Sequence, residues 1–156
     1  MRKITLFMGL VFVFWGCQEV YDIPPQSQVQ INFYGVDEEE EVSSKSILLS
    51  IKGVDSDSVW VSAVKTNSFV LPLGNSGVDT FELMMDSVVD QLRITYTPIL
   101  NYESMSTGFY YDYHIKSVEF TSNKINEVYL IDTLVIDTAH ENIQLLLNNN
   151  TGFTSN

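Results

Sequence analysis

Apolar residues recur at every second position through most of this chain, and no other feature constrains the fold as strongly. The alternation is clearest at Leu92, Ile94 and Tyr96, and it recurs in residues 29–33, 47–51 and 81–85. A period of two places alternate side chains on one face of a strand, and no segment after residue 16 sustains the 3.6-residue period of a helix. The short strands are separated by Gly, Asn, Asp and Ser, which favour turns. We therefore predict a single antiparallel β-sandwich with immunoglobulin-like topology, and a barrel is the alternative.

Two irregularities interrupt this pattern. The apolar phase shifts by one position between Ile115 and Val118, which predicts a β-bulge near Lys116 and Ser117. Residues 98–108 break the alternation and are predicted to form a loop. The sandwich is expected to occupy residues 29–147, and the polar residues 148–156 are expected to form a disordered tail.

The first residues predict export. Arg2 and Lys3 precede an uncharged apolar run at residues 4–15, which is too short to cross a bilayer and has the length of a signal-peptide core. Residues 14–17 resemble a lipobox, in which lipid is attached to the cysteine before cleavage. We predict a lipoprotein signal peptide at residues 1–16 and lipid attachment to Cys17, with acyl chains such as palmitate making the anchoring permanent.

The predicted cellular location follows from this anchor. Residues 17–28 contain two adjacent prolines and read as an extended tether between the lipid and the sandwich. We expect the protein in the bacterial cell envelope, lipid-anchored in the outer membrane. Both the periplasmic and the surface side remain open.

Cysteine content and charge exclude several classes of function. Cys17 is the only cysteine, so lipidation leaves neither a disulfide nor a thiolate zinc site. Removing Arg2 and Lys3 with the signal peptide changes the net charge from −12 to −14. A charge of this sign opposes nucleic acid, which requires Lys and Arg, so no nucleic-acid partner is expected.

Candidate catalytic and metal-binding residues are few. His114 and Asp112 share one face of a predicted strand, but no nucleophile turn accompanies them. Asp55 and Asp57 have the first spacing of a calcium loop, yet Val59 occupies the next ligand position. The acidic residues 37–41 would point alternately apart on an extended chain, so both acidic segments are interpreted as solvated loops. We predict no enzyme activity, no cofactor and no metal, with a hydrolase that uses His114 and Asp112 as the alternative.

Several aromatic residues could bind a ligand. Since Val59 and Val61 are expected to face inward, Trp60 between them is expected to face outward. Such rings could form a platform that stacks on sugars, although large aromatics also fill sandwich cores. The candidate platform consists of Trp60, Tyr102, Phe109, Tyr110 and Tyr113.

The Asp-Ser/Thr-apolar pattern used for O-glycosylation in exported Bacteroidota proteins occurs four times, where composition alone gives about one match. Because Asp-Ser and Asp-Thr also form turns, the pattern has a structural alternative. For a source within this phylum, we predict that at least one of Ser58, Ser87, Thr133 and Thr138 is glycosylated.

Short segments in a fixed order carry a family resemblance across most of residues 59–147. They include Leu71-Pro72-Leu73, Asp79-Thr80-Phe81, Tyr102-Glu103-Ser104, the stretch from His114 to Val118, and Glu141-Asn142-Ile143. The chain thereby resembles a family of small uncharacterised Bacteroidota lipoproteins with a domain of unknown function. The resemblance implies envelope anchoring and no particular activity.

These observations favour a lipid-anchored, acidic binding or structural module that acts by non-covalent contact. Its partner would be another envelope protein or a glycan. The alternatives are a glycan-binding accessory lipoprotein, the envelope hydrolase named above, and a pilus or matrix subunit.

Overall fold

The computed structural model describes residues 26–36, 42–54, 59–136 and 140–148. The predictions for residues 1–25, 37–41, 55–58 and 137–139, and for the tail at 149–156, lie outside these ranges. Within them the chain forms eleven strands and is all-β. The strands are β1 Gln28–Val36, β2 Val42–Ser44, β3 Ile47–Gly53, β4 Val59–Thr66, β5 Ser68–Pro72, β6 Val78–Met85, β7 Val88–Ser104, β8 Gly108–Phe120, β9 Ile125–Leu130, β10 Leu134–Val135 and β11 Glu141–Leu147.

The strands form two open sheets. The first runs β2-β1-β11-β9, with β5 also paired to β1, and the second runs β10-β8-β7-β6-β3-β4. All pairs are antiparallel except β1 with β11. The predicted β-sandwich is therefore confirmed, and the sheets do not close into the alternative barrel. The molecule shares two packed sheets with immunoglobulin domains, while its second sheet connects mostly neighbours in sequence.

The core lies between the sheets and follows the alternation of the sequence. Val29, Ile31 and Phe33 of β1 are buried in one cluster with Leu92 and Ile94 of β7. Burial of apolar surface contributes about 25 cal/mol per Å², so this cluster is the main source of stability. The alternating positions thus identify the inward face.

One charged side chain is buried beside this core. Asp90 is 0% exposed and accepts hydrogen bonds from the backbone nitrogens of Asn123 (2.8 Å), Lys124 (2.7 Å) and Ile125 (3.0 Å). The hydroxyl of Thr121 donates a fourth at 2.7 Å. A buried carboxylate needs such partners, and here it fixes the connection from β8 to β9.

The predicted bulge is confirmed. Thr95 pairs with Ser117 and Tyr96 pairs with Ile115, so Lys116 is the extra residue of β8. The insertion rotates the following residues by one position, which returns Val118 to the core side.

The predicted loop at residues 98–108 is wrong, because β7 continues to Ser104 and β8 begins at Gly108. The backbone nitrogen of Tyr96 bonds to Gly77 on the side of β6. Two residues later, the nitrogen of Pro98 points to the same side. It lies beyond Val78, the first residue of β6, so no hydrogen bond between strands is lost. The strands therefore extend beyond their neighbours as a two-stranded ribbon, the β7–β8 hairpin.

Candidate functional site

The predicted catalytic pair is not assembled as a diad. Asp112 accepts hydrogen bonds from the Ser27 hydroxyl at 2.7 Å and the Asn101 amide at 2.6 Å. Nδ1 of His114 lies 2.9 Å from Nζ of Lys116. Both side chains lie on the outward face of β8, each with a different partner. The geometry gives no support to the hydrolase alternative.

The five aromatic candidates do not form one platform. Tyr102 and Phe109 pair across the β7–β8 hairpin with ring centroids 5.2 Å apart, and both are exposed. Tyr113 is buried and packs edge-on against Tyr96 at 5.4 Å. Trp60 lies elsewhere, in β4. The candidates therefore divide between a projecting hairpin, the core and a second site at Trp60.

The predicted inward position of Val59 is wrong, because β4 is bulged at Trp60 and Val59 is exposed, whereas Trp60 is exposed as predicted and also contacts the core. Ile51 pairs with Val61 and Lys52 pairs with Val59, so Trp60 has no partner of its own in β3. The bulge leaves Val59 exposed and brings the indole edge-on to the buried ring of Phe81, with centroids 5.5 Å apart. Trp60 remains 41% exposed and forms one wall of a cavity.

This cavity, the Trp60 cleft, opens at the end of the sandwich where β6 begins. Its volume is about 580 Å³, within the range of small-ligand sites. It is lined by Gly53, Val54, Trp60, Pro72, Leu73, Gly74, Val78, Asp79, Thr80, Phe81 and Arg93. Side chains and backbone from both sheets meet there, so the cleft exists only in the folded sandwich.

The wall opposite Trp60 is held by hydrogen bonds. Asp79 Oδ2 accepts from the Tyr96 hydroxyl at 2.6 Å and from the Gly74 nitrogen at 2.8 Å. The Tyr113 hydroxyl donates to the Leu73 carbonyl at 2.7 Å. These bonds fix the segment from Leu73 to Gly74 against β6 and preorganise the cleft.

The electrostatics of this wall keep Tyr96 neutral. Burial, together with the hydrogen bond to Asp79, raises the pKa of Tyr96 to about 12. Tyr96 therefore remains a donor to Asp79 throughout the physiological range. The second oxygen of Asp79 provides a hydrogen-bond acceptor in the cleft. The half-exposed guanidinium of Arg93 provides a cation, and Trp60 provides an aromatic wall. Arg93 also pairs with Glu119 at 3.2 Å on the surface.

A second groove lies between the start of β1 and the β7–β8 hairpin. It has a volume of about 360 Å³ and is lined by Gln26, Ser27, Gln28, Pro72, Leu73, Phe109, Tyr110, Tyr111 and Tyr113. It meets the Trp60 cleft at Pro72 and Leu73. The two cavities and the hairpin therefore occupy one end of the molecule.

Two of the four predicted glycosylation residues are described, while Ser58 and Thr138 lie outside. Ser87 is exposed in the turn between β6 and β7, where Asp86 and Ser87 have φ of 48° and 78°. Thr133 is half-buried before β10, where Asp132 accepts from the Leu134 nitrogen at 2.9 Å. The turn-forming role of the aspartates is thus real, and the Ser87 hydroxyl remains accessible.

The described residues were also searched for metal sites and for membrane-spanning helices. In those ranges no group of three or more His, Cys, Asp or Glu side chains is arranged to hold a metal ion. The same ranges contain no helix long and apolar enough to span a membrane. Cys17 lies outside them.

Comparison with known proteins gives one match. The model of a family described as a family of unknown function, DUF6452, matches residues 48–147. No curated protein and no solved structure matches the chain. The matched region contains the Trp60 cleft and the β7–β8 hairpin, and it begins after β1.

Proposed function

The chain belongs to the DUF6452 family, and we propose that it is a lipid-anchored, non-catalytic binding module in the cell envelope of a member of the Bacteroidota. The Trp60 cleft is its ligand site. The cleft carries this proposal because it combines an accessible indole with fixed polar groups in a cavity of suitable size.

The anchor is supported by the sequence alone. A charged start, an apolar run and a small residue precede Cys17, which is the only cysteine. In an oxidising compartment a single cysteine would be a reactive thiol unless it were modified.

A binding role is favoured over catalysis by the way the carboxylates are used. Both oxygens of Asp90 accept hydrogen bonds from the β8–β9 connection, and both oxygens of Asp112 accept from Ser27 and Asn101. Each is bonded to the protein itself, and a general base needs to reach a substrate proton.

The ligand class that fits the cleft best is a glycan. The face of an indole stacks on the C–H face of a sugar ring, and Asp79 with Arg93 can hydrogen-bond to hydroxyl groups. A cleft for a purely apolar ligand would not need these polar groups. An envelope protein that inserts a side chain here is the alternative partner.

The anchor is tested by fractionating cells that produce the wild-type chain or Cys17→Ser. We expect wild type in the membrane fraction and the variant outside it. Equal distribution of the two would contradict lipid anchoring.

The ligand site is tested on an array of neutral and acidic oligosaccharides, followed by titration of any that binds. Trp60→Ala should weaken binding at least about tenfold, since an aromatic side chain that covers a ligand contributes about 1.5–3 kcal/mol. Tyr129→Ala removes an aromatic that is also exposed, on β9, and should leave binding unchanged. Equal weakening by both variants, or no bound oligosaccharide, would reject the glycan site.

Glycosylation of the chain itself remains part of the proposal. At least one of Ser58, Ser87, Thr133 and Thr138 carries a sugar in the native host. Intact mass of the protein, compared with variants in which each hydroxyl is replaced by alanine, gives the number and position of the sugars. A mass without sugar increments would reject it.

The pilus-subunit alternative receives no support from the sheets. β11 is paired with β1 on one side and β9 on the other. Within the described residues, the position between β1 and β9 is therefore filled by the chain's own strand.

A further inference from the structure

The β7–β8 hairpin exposes an unusual amount of apolar surface for an acidic protein. On the face that continues the core side of the sheet, Leu100 pairs with Tyr111 and Tyr102 pairs with Phe109. The exposed fractions are 56% for Leu100, 55% for Tyr102 and 63% for Phe109, and Met105 at the tip is 99% exposed. A two-stranded ribbon is marginally stable by itself, so a surface that covers this face would stabilise it.

Charge is nearly absent from the same segment. Residues 98–111 contain one charged side chain, Glu103, whereas the mature chain has a net charge of −14. Glu103 has no pairing partner in β8, because the ladder is irregular between Tyr102 and Ser104. The hairpin can therefore approach a lipid surface at a low electrostatic and desolvation cost.

The hairpin also lies where the chain enters the domain. The Ser27 hydroxyl bonds to Asp112 at the base of the hairpin, and Gln26 borders the same groove as Phe109. A lipid on Cys17 would be joined to this end of the sandwich. The hairpin is consequently the nearest projecting element to the proposed anchor.

The dimensions allow the hairpin to reach the bilayer. The nine residues from Cys17 to Gln26 span at most about 30 Å when extended. The part of β7 that projects, Pro98 to Ser104, is about 23 Å long at 3.3 Å per residue. The tether can therefore bring the tip to the lipid surface without displacing the sandwich.

We propose that the β7–β8 hairpin is a second membrane contact, which inserts Leu100, Tyr102, Met105 and Phe109 into the interface of the bilayer that holds the lipid on Cys17. This inference rests on the proposed anchor. Tyrosine and phenylalanine suit this position, because an amphipathic ring lies readily at the boundary of headgroups and acyl chains. Insertion would orient the sandwich with the Trp60 cleft close to the membrane.

Depth-dependent quenching tests the contact in the acylated protein. After signal-peptide removal Trp60 is the only tryptophan, so Trp60→Phe combined with Phe109→Trp places a single indole on the hairpin. The matched control combines Trp60→Phe with Phe120→Trp, eleven residues along β8 and about 35 Å away. Both proteins are extracted from host membranes and reconstituted into vesicles of phosphatidylcholine with brominated acyl chains.

We expect strong quenching of the indole at position 109 and little quenching at position 120. Equal quenching at the two positions would overturn the inference. Adding Tyr102→Ser to the position-109 protein should shift the equilibrium between inserted and free hairpin about tenfold toward the free form. Tyr129→Ser, which changes an exposed tyrosine on β9, should have no effect.

The intact mass of the same preparation separates this inference from the proposed anchor. A chain without acyl groups rejects the anchor, whereas an acylated chain whose position-109 indole is not quenched rejects the hairpin contact alone. A hairpin that cross-links to an envelope protein in the host and shows no quenching would also overturn the lipid contact.

Discussion

Replacing Asp90 with alanine tests how strongly one buried carboxylate stabilises the sandwich. The variant removes the acceptor of four hydrogen bonds, three of them from the consecutive backbone nitrogens of residues 123–125. The N–H group of Ile125 donates to Asp90 in a buried setting, so water cannot replace the lost acceptor.

The magnitude follows from these contacts. Each hydrogen bond to a charged group contributes about 1.5–3 kcal/mol, but the four share one acceptor and are not additive. We expect Asp90→Ala to lower the free energy of unfolding by about 3–5 kcal/mol. For a chain of this size the corresponding fall in Tm is roughly 10–20 °C.

Urea unfolding followed by circular dichroism measures this loss, and an unchanged m value would show that the same folded state is compared. Glu119→Ala is the control, because Glu119 is exposed and makes a surface ion pair with Arg93. The control should change stability by less than about 1 kcal/mol. A loss below about 1 kcal/mol for Asp90→Ala would refute the assigned role of the buried carboxylate.

Three further expectations follow from local geometry. The pKa of Tyr96 is raised to about 12 by burial and by its hydrogen bond to Asp79. The contribution of Tyr96 to the free energy of unfolding is therefore complete below pH 10 and is lost as the pH rises to 12. Over this window the urea midpoint of the wild type should fall more steeply than that of Tyr96→Phe. Ala63 has φ of 51°, so Ala63→Gly should stabilise by about 0.5–1 kcal/mol in the same assay, whereas Ser62→Gly should destabilise by a similar amount. Ser87→Ala should remove one sugar-sized increment from the intact mass of the native protein, and a mass that falls only by the oxygen atom lost in the substitution would exclude modification of this exposed hydroxyl.

The alternation of apolar residues was sufficient to predict the sandwich. Ile31 and Phe33 of β1, like Leu92 and Ile94 of β7, occupy the inward positions that a period of two requires. The bulge at Lys116 was also predictable, because it changes the phase of the pattern. Both features depend only on the order of apolar and polar residues within one strand.

Features that depend on where a neighbouring strand ends were not predictable. Pro98 indicated a loop because proline normally interrupts a sheet. The pairing of β6 with β7 stops before Pro98, however, so its nitrogen does not need a hydrogen-bond partner. The exposure of Val59 was not predictable, because the bulge in β4 preserves an apparently regular Val-Trp-Val alternation. Asp90 is in phase with Leu92, which indicates an inward position, but its four hydrogen-bond partners lie about thirty residues away in sequence and were not predictable.

The candidate site was predicted only in part. The sequence makes Trp60 a candidate for ligand binding, but it does not indicate Phe81 and Asp79, which line the same cleft and come from another strand. Their positions depend on the pairing of β3 with both β4 and β6. A pattern within one strand contains no information on that pairing.

The intact mass of the protein extracted from membranes of its native host shows whether Cys17 carries lipid. Lipid anchoring predicts a mass equal to residues 17–156 plus several acyl chains, with any sugars as further increments. A mass that corresponds to an unmodified Cys17, or to a chain that retains residues 1–16, would contradict the account of an anchored envelope module.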